Sequence, residues 1–240
     1  LLFLKKKKIL LIEDVCESHG ATFNKKKLGT FGKISNFSFY YAHHMSTIEG
    51  GMVCTDNEDI YQMLRMYRSH GMVRESNNLN LQSRYARENK NLNSDFIFAF
   101  PGYNVRNTEL GGIIGRSQLK RLDENNGKRK QNQQVFLSHL DKKLFRVEFD
   151  LDGSCNYAFN VILREADLVL RDRVESAMEK AGVEYRRGSS GGGNQLRQPY
   201  LKGIVKEGEW LDFPEVEHVH FFGWYIGNYP DLAENEILQL

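Results

Sequence analysis

The sequence predicts an α/β protein carrying a smaller α+β unit at its C-terminal end, and three observations predict it. Residues 9–13, ILLIE, form a short continuous apolar run ending in acids, the pattern of a buried parallel strand with polar groups at its carboxyl end. NEDIYQMLRMYRSHG puts Ile60, Met63, Leu64 and Tyr67 on one helical face and stops at Gly71. Beyond Leu144 the texture shifts to alternating strands around one well-patterned helix.

In chain order, Lys5–Lys8 reads as a solvated turn ahead of the first strand. SNFSFYY (35–41) and GGMVCT (50–55) are two further strands, the second entered through glycines. Asp56 caps the helix that follows. Residues 74–95 are polar, Asn-rich and aperiodic, a long surface excursion that at this length is either functional or disordered. A helical pattern runs from Thr108 to about Lys142 with a break near Asn125–Gly127. FRVEFD and YAFNVILR alternate as half-exposed strands, and ADLVLRDRVESAMEKAG is a helix ending at Gly182. VEYRR, a Gly-rich loop and a segment through NYPDLAENEILQL complete the unit. The expected division is a larger domain over residues 1–115, a linking helix over 116–144 and a small domain over 145–240.

The 240 residues are 40% hydrophobic, enough for one sizeable core or two modest ones. A net charge of +2 with mixed signs gives no reason to expect nucleic acid or an anionic membrane as partner. Cys16, Cys54 and Cys155 are odd in number and far apart, which is no disulfide framework, and no C-x-x-C spacing points to zinc or an iron–sulfur cluster. No metal is expected, and a reducing, cytoplasmic compartment fits best. LLFL is too short for a signal segment, and no later stretch reaches the length of a membrane span. The chain has no initiating Met and starts just ahead of a buried-looking strand, so it reads as a fragment, expected neither to reach full stability nor to turn over alone.

The motifs have ordinary uses as well as chemical ones. IEDVCESHGA sets Asp14 at the mouth of a strand, where ligands of α/β sheets gather, yet such an Asp is as often a helix cap. Ser38 alone is an ordinary strand serine. His43 and His44 make a poor metal pair, because adjacent residues on a strand point to opposite faces; one inward and one outward ring is expected. PGYNVRNTELGG places Asn104 and Arg106 before a helix opening at Thr108 with Glu109 in its first turn. That is either a loop and a cap or an anion site built from Asn, Arg and helix-start amides. GSSGGGNQLRQP (188–199) lacks the lysine and spacing of a phosphate-binding P-loop and reads as a loop.

Taken in order, these residues resemble the DegT/StrS-type family of pyridoxal-phosphate sugar aminotransferases, of fold type I. The family pattern E-D-x-x-x-x-x-G-A is met by Glu13-Asp14 with Gly20-Ala21, and S-F-x-x-x-K-x-x-x-x-x-E-G-G by Ser38-Phe39 through Glu49-Gly50-Gly51. G-x-N-x-R-x-[ST]-E is met by Gly102, Asn104, Arg106, Thr108 and Glu109. VEYRRG…NQLRQP and GWYIGNYPDLAENEI resemble the family's closing region. The resemblance implies a fold-type I transferase with an incomplete large mixed-sheet domain, since the family's first third has no counterpart here.

One position departs from the pattern. The family's cofactor-linking lysine falls on His43, and Ala42-His43-His44 matches the A-H-H tripeptide of the branch resembling nucleotide-4-keto-6-deoxy-hexose 3-dehydratases. The resemblance then implies pyridoxal or pyridoxamine 5′-phosphate held noncovalently, with His43 as the catalytic base; imidazole ordinarily titrates near pH ~6.5 and forms no stable imine. It implies Asp14 on the pyridine nitrogen, Ser38 on the phosphate, Asn104 on a phosphate across a homodimer interface, and Glu17 beside the ring. Arg106, Arg186 and Asn194 are implied on the substrate side. RSHGMVRESNNLN carries no cysteine, which argues against an iron–sulfur electron route and favours an amino-acid donor such as glutamate. The implied function is 3-dehydration of a nucleotide-linked 4-keto-6-deoxy-hexose in deoxysugar biosynthesis of the O-antigen or lipopolysaccharide type. The alternatives are an aminotransferase on a nucleotide-linked keto-sugar and a non-catalytic sugar-nucleotide-binding relative.

Overall fold

The lysine run near the N-terminal end closes a helix rather than forming a turn. Helix α1 spans Leu2–Lys7, its last turn carries Lys5, Lys6 and Lys7 where the helix dipole favours cations, and Lys8 ends it in the left-handed conformation. The computed structural model describes residues 1–188 and 192–240 and separates into two units, Leu1–Leu122 and Asp123–Leu240. Part of the predicted Gly-rich loop, residues 189–191, lies outside the described residues.

In the first unit, ILLIE is a strand only at its end: β1 is Ile12–Asp14. A hairpin follows, β2 at Thr22–Phe23 and β3 at Lys26–Lys27, turned by Asn24 and Lys25. Both turn residues have positive φ, as a two-residue hairpin loop matched to the right-handed strand twist requires. Strands β4 (Ile34–Ser38) and β5 (Gly51–Cys54) complete a sheet of order β1-β4-β5. Strand β1 runs parallel to β4 with Asp14 opposite Asn36, and β5 returns antiparallel with Gly51 opposite Ser38. The parallel pairing agrees with the sequence, but the expected burial does not. Ile12 is 63% exposed, because β1 is an edge of this sheet and no described residue covers its outer face.

Helix α2 spans Glu58–Tyr67 and is capped by Asn57, not Asp56: Asn57 Oδ1 accepts the Ile60 N–H at 2.9 Å. Its buried positions are Gln62 and Met66, a rotation from the apolar face read in the sequence. Gln62 can be buried because its carbonyl oxygen accepts Ser76 Oγ at 2.6 Å and Asn77 N at 3.0 Å. The segment 74–95 is not a structureless excursion. It holds helix α3, Leu79–Glu88, capped by Asn78, between 3-10 turns at Val73–Glu75 and Ser94–Phe96. Leu81, Tyr85 and Ala86 pack onto Met66, Val73 and Ile97, too few apolar positions to register as a period. Helix α4, Glu109–Leu119, opens at Thr108 as predicted.

Helix α5 spans Leu122–His139 and runs unbroken through Asn125–Gly127; the interruption lies at residues 120–121. Its buried face is Asn126, Arg129, Asn132, Gln133 and Phe136, helically spaced but mostly polar. Asn132 Nδ2 donates to Asn228 Oδ1 and Tyr229 O, Asn228 Nδ2 donates to Arg129 O, and the Arg129 guanidinium donates to Asn228 O. FRVEFD forms no strand and contributes only an isolated bridge between Phe145 and Leu163. Strand β6 is Ala158–Ile162, and α6 is Leu168–Lys180, its first N–H groups held by Asp167. Strand β7 (Tyr185–Arg187), helix α7 (Pro214–Phe222), strand β8 (Gly223–Gly227) and helix α8 (Glu234–Ile237) follow. The sheet is antiparallel in the order β6-β8-β7. Trp224 and Ile226 on β8 meet Phe159, Val161, Phe136 and Phe222 in the core, and the Trp224 indole N–H donates to Glu175 at 2.8 Å. No described helix is long and apolar enough to cross a membrane.

Candidate active site

The site in the first unit is built where β1 and β4 end together. Parallel register puts Asp14 and Asn36 side by side, and Asn36 Nδ2 donates to Asp14 Oδ1 at 3.0 Å and to Cys16 Sγ at 3.2 Å. The chain turns immediately after β1, and the Cys16 N–H returns to Asp14 Oδ1 at 3.2 Å. The Cys16 thiol first, then its backbone N–H, hold the exposed Asp14 carboxyl below the ordinary carboxylate range against partial burial, with the Asn36 amide and the charge of His43 adding to them. Burial and the same carboxylate push the Cys16 thiol up to about 11. Glu13, one residue earlier, points into the structure. Partial burial pushes its carboxyl up, but the N–H groups of Gly29, Gly32 and Phe31, at 2.6–2.7 Å, outweigh that and hold it low.

Beyond Ser38 the ladder stops, and residues 39–50 form a loop closed on Phe39: Phe39 N donates to Gly50 O and Thr47 N to Phe39 O, both at 2.9 Å. His43 and His44 therefore sit in a turn, not on a strand, and His43 N closes it on Tyr40 O at 3.0 Å. The rings still part company. His44 is buried against His19, with centroids 5.9 Å apart, whereas half-buried His43 lies edge-on to Tyr40 at 5.4 Å. Burial, then the charge of His43, push His19 down to about 4, which keeps this inner imidazole neutral. Gly50 closes the loop at φ 151°, and a Cβ there would stand 2.6 Å from Thr47 Oγ1.

The other candidates lie as follows. Ser38 ends β4, and its Oγ accepts the Tyr40 N–H at 3.2 Å. Glu17 is half-buried in the turn after β1, and its charge acts on the Cys16 thiol. Asn104 and Arg106 are exposed on the segment before α4, which is tied down by Tyr103 N to Tyr67 O and Val105 N to Arg68 O, both 2.9 Å. Arg186 and Asn194 belong to the second unit. Arg186 is exposed on β7 over the Tyr225 ring, while Asn194 is buried and spends its amide on Trp210 O, Glu217 and the Leu196 N–H. The first unit thus gathers Asp14, Ser38 and His43 at the sheet's end. Sequence reading missed Asn36, Cys16 and His19; the Asp14↔Asn36 pairing was available only through the strand register. Among the described residues, no group of three or more His, Cys, Asp or Glu side chains is placed to hold a metal ion.

Residues 3–217 match the DegT/DnrJ/EryC1/StrS aminotransferase family. The chain belongs to that family. The GDP-4-keto-6-deoxy-D-mannose 3-dehydratase of Escherichia coli is 34% identical over 229 residues, covering 92% of this chain and 56% of that protein. The Yersinia pseudotuberculosis protein of the same name is 33% identical over 241 residues, covering 95% of this chain and 58% of that one. A crystal structure of GDP-4-keto-6-deoxymannose-3-dehydratase with a trapped PLP-glutamate geminal diamine matches at a TM-score of 0.82 and 31% identity, covering 99% of this chain and 61% of that chain. The fold is that of this PLP-dependent group, as the motif order implies. The chain spans a little over half the length of the curated relatives it matches.

Proposed function

We propose that this chain is the His-bearing part of a pyridoxal/pyridoxamine-phosphate-dependent 3-dehydratase acting on a nucleotide-linked 4-keto-6-deoxy-hexose, in deoxysugar biosynthesis. One observation carries the reading: an imidazole, His43, stands within electrostatic reach of an ionised aspartate at the end of the sheet, at the motif position where the family has lysine. The GDP-sugar dehydratases it resembles support a GDP-linked hexose as substrate and glutamate as amino donor.

The residues fit the cofactor. Asp14 is exposed and held ionised, the state a protonated pyridine nitrogen needs opposite it. The Ser38 hydroxyl accepts from Tyr40 N and keeps its own hydrogen to donate to a phosphate oxygen. When bound, the cofactor would supply an amine reactive toward a keto group and a ring able to take up electron density. His43 accepts the proton from C4′ as general base and, lacking an amine, forms no stable covalent link. Asn104 extends to a phosphate of a second copy in a homodimer with a shared site, Glu17 flanks the ring, and Arg106 and Arg186 take the sugar-nucleotide side. Asn194 acts there through the loop it fixes, since its own amide is committed inside the second unit. Residues 1–115 form part of the cofactor-binding domain, 116–144 link it to the small domain, and the enzyme works in the cytoplasm.

Borohydride treatment of the full-length protein followed by intact mass tests the noncovalent link. The wild type is expected to carry no pyridoxyl adduct and His43→Lys to acquire one; an adduct on the wild type contradicts the proposal.

A further inference from the structure

Asp14 has two neighbours that the motif order does not assign. Asn36 comes from β4 and Cys16 from the turn after β1, so one oxygen of the carboxylate, Oδ1, takes donors from two elements. The Asn36 amide bridges Asp14 Oδ1 at 3.0 Å and Cys16 Sγ at 3.2 Å, so Sγ accepts from Asn36 while the thiol itself is a donor to the carboxylate. We infer that Asn36 and Cys16 are positioning residues that together fix the orientation and the charge of Asp14 for the cofactor nitrogen. This rests on the proposed role of Asp14.

The physical case is one of donor count. A carboxylate that must stay ionised facing a cationic ring nitrogen is steadied by donors to its oxygens, because each donor to the charged form favours it. Here Oδ1 accepts the Cys16 N–H and the Asn36 amide, and the thiol adds a third donor. The titratable groups around the carboxylate are Cys16 from its own turn and His43 from the loop after β4, with Glu17 acting on the thiol. A thiol donating to a carboxylate is a poor nucleophile, so Cys16 is held as a donor, not as a reactive cysteine.

The experiment has one arm without cofactor and one with it, both on the full-length protein with far-UV circular dichroism as the fold control. Cofactor-free protein is alkylated with iodoacetamide at pH 9 and each cysteine followed by peptide mass spectrometry, Cys54 serving as reference. Asp14→Asn is expected to speed Cys16 alkylation about tenfold or more, because one unit of thiol pKa is tenfold in thiolate. Asn36→Val is expected to slow it, the opposite sign, because the amide favours the thiolate. Unchanged Cys16 alkylation in Asp14→Asn overturns the inference. In the second arm, pyridoxamine phosphate binding is titrated by fluorescence at neutral pH. Asn36→Val and Cys16→Ala should weaken binding, while Cys16→Ser, which keeps a donor, should restore it. Wild-type affinity in Asn36→Val, with binding lost in Asp14→Asn, overturns the inference and leaves the role of Asp14 standing. Wild-type affinity in Asp14→Asn removes that role and this inference with it.

Discussion

His43 and His44 are adjacent imidazoles in unlike surroundings, one half-buried by Tyr40 and reaching the charge of Asp14, the other enclosed against His19. Their substitutions should therefore separate chemistry from stability. His43→Asn is expected to keep the fold and lower elimination by about 10²–10⁴-fold, the ordinary worth of a general base. His44→Asn is expected to lower stability by roughly 1–3 kcal/mol while turnover per folded molecule stays near wild type. Single-turnover kinetics beside urea denaturation check both, and the reverse pattern would mean that the motif registration is wrong. Glu13 yields a pH prediction. Its folded carboxyl lies below the unfolded value, so its stabilisation is present above the unfolded carboxyl range near ~4.3 and is lost as pH falls through the lower folded value. Glu13→Gln should be less stable than wild type at pH 7, with the gap closing below pH ~4 in urea titrations. Asp14, Ser38 and His43 could be read from the order of motifs. Asn36 could not, because its partner is 22 positions away and only the parallel register of two strands brings them together.

At the scale of elements, the start of α4 was legible to the residue and that of α2 to within one. Thr108 caps α4 as its side chain suggests, while the cap of α2 moves by one residue because Asn57, not Asp56, reaches the Ile60 N–H. Asn57→Ala should cost about 1 kcal/mol in urea denaturation and Asp56→Ala within about 0.5 kcal/mol of nothing. Hydrophobic periodicity misjudged the buried face of α2 and the course of α5 for one shared reason: Gln62 on the first and Asn126, Arg129, Asn132 and Gln133 on the second are buried polar residues, invisible to a count of apolar side chains. The SFYY alternation overshot for another. A strand lasts only as long as its partner, and β5 pairs no farther than Ser38, so Tyr40 to His44 turn. Gly102 shows how the Asn104–Arg106 segment is held. A Cβ there would lie 2.7 Å from the His70 carbonyl carbon, so Gly102→Ala should displace the segment and lower both stability and nucleotide-sugar affinity, read by denaturation and calorimetry.

Across the whole molecule the two units differ in how they are held. Among the described residues, the second has a nine-residue buried cluster around Trp224, Phe159 and Leu163, whereas the first has a smaller one of Met66, Val73 and Ile97, with Val15 and Phe39 buried apart from it, and leaves Ile12, Ile113 and Leu110 exposed. Amide hydrogen exchange should be slowest on β6 and β8 and fast on the edge strand β1, and equal protection in the two sheets would contradict this. Product mass tests the proposed dehydration most directly. The full-length protein, with pyridoxamine phosphate, glutamate and a GDP-linked 4-keto-6-deoxy-hexose, is predicted to yield a sugar nucleotide one oxygen atom lighter, the C3 hydroxyl gone and the 4-keto group retained. A product that keeps the C3 hydroxyl and carries nitrogen in place of the keto oxygen would contradict it.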